Sequence, residues 1–130
     1  MEDVKRWLPA FLYACLITYL SSLQGPQLPQ YGFMLHDKIL HTTEYAGFGF
    51  LLARGFGLRR WWWACLAGAL FGVLDEFHQS FTPHRNGNDP GDMLADLIGS
   101  TLGALAFYGF HRLRKRAKNV AMTEREKVRE

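Results

Sequence analysis

Asp37, His41, Glu44, Asp75, Glu76, Asp92 and Asp96 stand inside or beside long apolar stretches, with Lys38 and Arg85 close by. Asp37, His41 and Glu44 or Tyr45 follow the i, i+4, i+7/8 spacing of one helical face. Asp75 and Gln79 stand four apart, and so do Asp92 and Asp96. Carboxylates with an imidazole suit general acid–base transfer, for which His41, Glu44, Asp75, Glu76 and Asp92 are the candidates. The same ligand types suit a divalent cation such as Mg²⁺ or Mn²⁺. Arg85, Lys38 and His41 would instead hold an anionic group such as a phosphate. Plainer roles stand beside these: a polar network that keeps helices in register, Arg85 as a counter-ion, and His41 as a core imidazole bonded to Asp37 or Glu44. His78 and His84 fall in or beside a polar loop and His111 opens a basic tail, where solvation is the expected role. The sequence contains no Gly-rich phosphate loop, nucleophile elbow, zinc signature or Cys/His dyad, so covalent catalysis has little support.

The segments that must position these residues are apolar. A bilayer core about 30 Å thick needs roughly 17 to 25 helical residues, and four stretches qualify: Trp7 to Leu23, Lys38 to Phe56, Trp61 to Phe77, and Asp92 to Phe110. The second and fourth are the least apolar, because they carry His41, Glu44, Asp92 and Asp96. The first follows Lys5 and Arg6 like a signal peptide, but Ser-Ser-Leu-Gln-Gly is a poor cleavage site, which favours an uncleaved anchor. The sequence therefore predicts an all-α integral membrane four-helix bundle over residues 1–111, followed by a charged cytoplasmic tail, residues 112–130. The connector Gln24-Gly-Pro-Gln-Leu-Pro-Gln is turn-rich and cannot continue a helix through its prolines. Cys15 and Cys65 each lie in an apolar block and read as small buried hydrophobes rather than a disulfide or metal pair.

Charge sets the orientation. Lys5, Arg6, Arg54, Arg59, Arg60, Arg112, Arg114, Lys115, Arg116 and Lys118 flank one set of span ends, and only Lys38 and Arg85 the other. The positive-inside rule then puts both termini in the cytoplasm of a multi-pass inner-membrane protein. The ionisable residues fall at the outer end, and Trp7, Trp61, Trp62 and Trp63 anchor the inner interface. The basic residues flank hydrophobic segments without a nucleic-acid motif, so the expected partner is the lipid bilayer and not nucleic acid.

Gly68, Gly72, Asp75 and Gln79 share a 4-3-4 spacing with Asp92, Asp96, Gly99 and Gly103. Antiparallel packing of the third and fourth spans through these glycines would set Gly72 against Gly99 and Gly68 against Gly103. Asp75 would then lie opposite Asp96, and Gln79 opposite Asp92, with Glu76 turned towards the second span or the headgroups. Glycine faces left exposed could also join two copies. A carboxylate at a helix centre costs about 2.5–3.5 kcal/mol on insertion, and intramembrane ionisable groups usually mark function. A cluster this acidic requires protonation, pairing with Lys38, His41 or Arg85, or a bound cation.

Asp37-Lys38-x-x-His41 with Tyr45, then Asp75-Glu76-x-His78-Gln79-x-Phe81-x-Pro83-x-Arg85, then Asp92-x-x-x-Asp96-x-x-Gly99-x-x-x-Gly103 together resemble the VanZ-like family of bacterial membrane proteins. That family commonly has Asn where this chain has Asp96, and Gly where it has His84. The resemblance implies a cell-envelope protein, since the founding member is associated with low-level resistance to the glycopeptide teicoplanin. Three functions fit. One is a binding protein whose outer pocket, built from Asp37, Lys38, His41, Tyr45, Asp75, Glu76, Gln79, Arg85, Asp92 and Asp96, engages an anionic lipid-linked cell-wall precursor. The second is a membrane hydrolase or transferase acting on such precursors, with a divalent metal as its cofactor. The third is ion- or proton-coupled transport.

Overall fold

The computed structural model describes residues 1–23, 30–85 and 87–127, and these fold into four α-helices with no strand among them. In chain order they are α1 (Glu2–Ser22), α2 (Gln30–Phe56), α3 (Trp63–Gln79) and α4 (Pro90–Lys127). Most of the turn-rich connector after α1, residues 24–29, lies outside the described residues, as do Asn86 and the last three residues of the charged tail.

Each helix corresponds to one expected apolar stretch, with shifted ends. α2 begins eight residues before Lys38, because a charge on a helix does not end it. α4 runs unbroken past Phe110 to Lys127, since the Arg- and Lys-rich tail is made of good helix formers and contains no proline. α1 carries Pro9 within it. That proline has no N–H for the carbonyl of Lys5, and Arg54 Nη1 from α2 donates to this oxygen instead, at 3.5 Å.

The side-chain pairings fix the helix directions. Lys38 meets Asp92, His41 meets Asp96, and Phe50 meets Phe107, so α2 and α4 run parallel. α1 and α3 run the opposite way, with Ser21 of α1 against Asp75 of α3 at the same end as His41. At the other end Trp7 of α1 packs edge-on against Phe56 of α2.

The tightest approach is between α2 and α4, and glycine permits it. A Cβ built on Gly103 would collide with the carbonyl oxygen of Ala46, and one on Gly99 with that of Thr42. In return, Gly49 of α2 rests on the backbone of Ser100. The expected register between α3 and α4 is corrected by this arrangement. Gly72 faces Asp96, where an added Cβ would fall 2.6 Å from Oδ2, and Gly68 faces Ser100. Gly99 and Gly103 form a stripe about 60° round the helix from Asp96 and Ser100, so α4 turns its glycines to α2 and its polar stripe to α3.

Polar and charged groups share the interior with an apolar core. Glu76, Asp96 and Ser100 are wholly enclosed with Ile17, Tyr45, Ala53 and Ala104, while Leu70 is 62% and Phe77 57% exposed. Leucines on all four helices face outward, among them Leu12, Leu40, Leu66 and Leu102. Cys15 is exposed and Cys65 only partly enclosed, so the expected burial of both is corrected: they belong to this apolar exterior. Among the described residues one helix, α4, is long and apolar enough to cross a membrane. Although α4 was expected to be among the less apolar, the sequence beyond Asp96 is free of charge as far as Phe110.

Gly103→Val should force α2 and α4 apart and destabilise the fold by about 1–3 kcal/mol. Gly109→Ala, which meets nothing within 4 Å, should leave thermal stability in detergent at the wild-type value. Equal stability for Gly103→Val would remove the close approach of α2 and α4 as a determinant of the fold.

Candidate functional site

The polar residues gather at the end where α2 and α4 begin and α1 and α3 finish, in three connected groups. The first joins α1, α3 and the loop that follows α3. Asp75 and Gln79, one turn apart on α3, face α1: Asp75 Oδ2 accepts from Ser21 Oγ at 2.8 Å and from Gln79 Nε2 at 3.0 Å. Arg85 Nη1 donates to Gln79 Oε1 at 3.0 Å, and its Nη2 and Nε reach the carbonyls of Leu20 and Leu23, both at 3.3 Å. Arg85 thus closes the C-terminal end of α1, joining the Leu23 amide at the Leu20 carbonyl and serving the carbonyl of Leu23 itself.

The second group starts α4. Asp89 accepts from the amide of Gly91 at 2.7 Å with Pro90 between them, the arrangement of an N-cap followed by proline at the first helical position. Lys38 Nζ donates to Asp89 Oδ2 at 2.8 Å and to Asp92 Oδ1 at 2.5 Å. The Lys38 ammonium, and then the Gly91 amide, hold the Asp89 carboxyl below the usual carboxylate range. This ion pair ties α2 to the start of α4.

The third group is enclosed. His41 Nδ1–H donates to Asp96 Oδ1 at 2.8 Å, with both side chains buried. Glu76 Oε2 accepts from the amide of Asp89 at 2.9 Å, and its carbonyl from the amide of Asn88 at 3.2 Å, folding the loop back over α3. Asn88 adopts a φ of 62° in that loop, a conformation asparagine tolerates. Tyr45 lies beside the His41 ring and edge-on to Phe48.

Several buried atoms here have no hydrogen-bond partner among the described residues: Asp96 Oδ2, Glu76 Oε1, Glu44 Oε1, the Tyr45 hydroxyl and Ser100 Oγ. An orphaned buried polar atom costs about 1–3 kcal/mol, and these five come from α2, α3 and α4. Asp37, His41 and Asp92 each present a ligand atom within 4.8 Å of the other two. With Nδ1 engaged by Asp96, the nitrogen His41 retains for a ligand is Nε2, and a carboxylate behind a histidine is the usual support of a metal-bound imidazole.

Every expected site residue lies at this end, but the pairings differ from those foreseen. Asp75 bonds to α1 and not across to Asp96, and Gln79 serves Asp75 and Arg85 instead of Asp92. His41 pairs with Asp96 rather than with Asp37 or Glu44. Glu76 is buried against the loop amides. Arg85 is satisfied by an amide and two carbonyls and not by a carboxylate. His78, expected in solvent, is half-buried in the last turn of α3 with its Nδ1 unpartnered, whereas His84 is exposed. Ser21, Asp89 and Ser100 were not foreseen. Asp89-Pro90 carries a legible helix-start signal, while Ser21 and Ser100 are defined only by the helices that meet them.

His41→Ala should leave Asp96 as an uncompensated buried carboxylate and cost about 3–5 kcal/mol. Asp96→Asn, whose amide oxygen still accepts from His41, should retain most of the stability. The two are compared by thermal unfolding in detergent, and equal losses would show that the charge on Asp96, not its hydrogen bond, is what the core requires.

A family model described as VanZ/LLP1 matches residues 17–113, a segment that contains every group described above. No curated protein and no solved structure matches the chain.

Proposed function

The chain belongs to the VanZ/LLP1 family, and from that premise we propose that it is a bacterial inner-membrane protein that binds the anionic headgroup of a lipid-linked cell-wall precursor. In this reading the four helices span the bilayer as a bundle with both termini cytoplasmic, and the polar recess opens to the outer face. The apolar exterior around buried carboxylates supports the embedding, since a water-soluble chain of this size rarely exposes so many leucines on every helix. The basic residues at the far end support the orientation.

The charge balance of the recess carries the ligand assignment. Lys38, His41 and Arg85 all have partners of their own, whereas Asp37, Glu44, Asp75 and Glu76 form no ion pair among the described residues. A bare phosphate entering such a site would be repelled. A divalent cation held by Asp37, His41 Nε2 and Asp92 would offset part of that excess and bridge the site to phosphate oxygens, as hard oxygen-ligated cations do. Binding of this kind would connect the protein to the teicoplanin-type resistance with which the family's founding member is associated.

A second reading is favoured by the enclosed Asp96–His41 pair, which leaves Nε2 able to move a proton: hydrolysis or group transfer on the same precursor. One experiment separates the two. Purified protein is titrated with a polyprenyl pyrophosphate in detergent, with Mn²⁺ or with chelator, and released phosphate is assayed in parallel. Metal-dependent binding without phosphate release, weakened at least tenfold by Asp37→Ala or Asp92→Asn, is expected. Phosphate release that depends on His41 would select the enzyme, and binding indifferent to chelator and to both substitutions would end the cation-bridged reading. The orientation is tested by His84→Cys in a Cys15→Ser/Cys65→Ser background. A membrane-impermeant maleimide should label intact cells, and labelling only after lysis would place the recess on the wrong side.

A further inference from the structure

The opposite end of the molecule holds a cleft, remote from the acidic cluster. α2 stops at Gly57, which takes a φ of 79°, and the chain turns through Leu58, Arg59 and Arg60 towards α3. Arg6 of α1 reaches across and donates through Nε to the carbonyl of Arg54 at 3.2 Å. Arg54 answers by donating to the carbonyl of Arg6 at 3.3 Å. The Arg6 guanidinium is thereby fixed over Gly57, where any Cβ would meet its Nη2. Between this side chain and the turn lies a cleft of about 580 Å³ lined by Arg6, Arg59 and Arg60, with Phe56, Gly57 and Leu58 completing its wall. None of the three arginines forms an ion pair among the described residues.

We infer that this cleft binds the phosphodiester headgroup of an anionic phospholipid. Three guanidinium groups around one cavity without a carboxylate form an anion site, and Arg59 and Arg60 keep their donors free of other work. The surroundings select a lipid over a soluble anion. Leu58 and Trp62 are exposed beside the cleft, and Trp62 and Trp63 stack on each other at 4.5 Å. A headgroup seated on the arginines would lay its acyl chains along this apolar flank, and indole rings at headgroup level are the usual companions of such a boundary. The inference rests on the membrane-embedded reading of the helices but not on what the acidic recess binds.

The test begins with isolated membranes washed in alkaline carbonate. Release of the protein into the aqueous phase would overturn the membrane reading, and the lipid site with it. Retention is expected, followed by native mass spectrometry of the detergent-purified full chain with phosphatidylglycerol, phosphatidylcholine or inorganic phosphate. One phosphatidylglycerol should bind preferentially. Arg59→Gln/Arg60→Gln should weaken it by about tenfold or more, with unchanged helical content because neither side chain is bonded within the fold. Arg114→Gln/Arg116→Gln, which removes the same charge from the tail, should leave binding intact. Equal binding of phosphatidylcholine, equal weakening by the tail variant, or displacement of the lipid by millimolar inorganic phosphate would each overturn the site, while retention of the protein in the membrane keeps the embedding.

Discussion

A carboxylate enclosed by protein is tolerated only with a partner, and Asp96 is enclosed on every side. Its partner is His41, and the bond between them constrains much else. His41 reaches Asp96 at 2.8 Å with α2 and α4 parallel and in one register. That register in turn brings Lys38 to Asp92 at the mouth and Phe50 to Phe107 below. Exchanging both residues for apolar ones would remove a polar liability but also one of the directional contacts that fix the two helices along their length.

The glycines make that contact geometrically available. Because Gly49, Gly99 and Gly103 let the backbones of α2 and α4 nearly touch, His41 and Asp96 can join the two helices directly. Gly72 and Gly68 do the same for α3, facing Asp96 and Ser100. The enclosed carboxylate, hydroxyl and imidazole groups therefore share the interior with an apolar core of Tyr45, Phe48, Leu52 and Phe107, while many leucines face outward.

Much of this was legible in the sequence. Four helices, the common location of Asp37, His41, Glu76 and Asp92, and the basic character of the far end all follow from apolar length, helical spacing and the distribution of Lys and Arg. Partner identity was harder to read. The 4-3-4 pattern on α3 and α4 invited a glycine-to-glycine match, yet a helix in contact with two neighbours carries two stripes, and periodicity alone cannot say which neighbour each one meets. Ser21 illustrates the same difficulty. A serine near the end of an apolar helix has no feature that announces a carboxylate on a distant segment, and only the approach of α1 to α3 makes it the partner of Asp75. The helix start at Asp89-Pro90 was the opposite case, a local signal with a local meaning.

α4 is continuous from Pro90 to Lys127, a span of 38 residues, or about 57 Å at the rise of an α-helix. Asp92 and Asp96 at one extremity and the basic run from Arg112 at the other are thus fixed to a single stiff rod, without the proline or hinge that would let them move independently. Any axial slide or tilt imposed on the rod at either extremity is delivered to both, so the two chemically dissimilar ends of the molecule are mechanically one part.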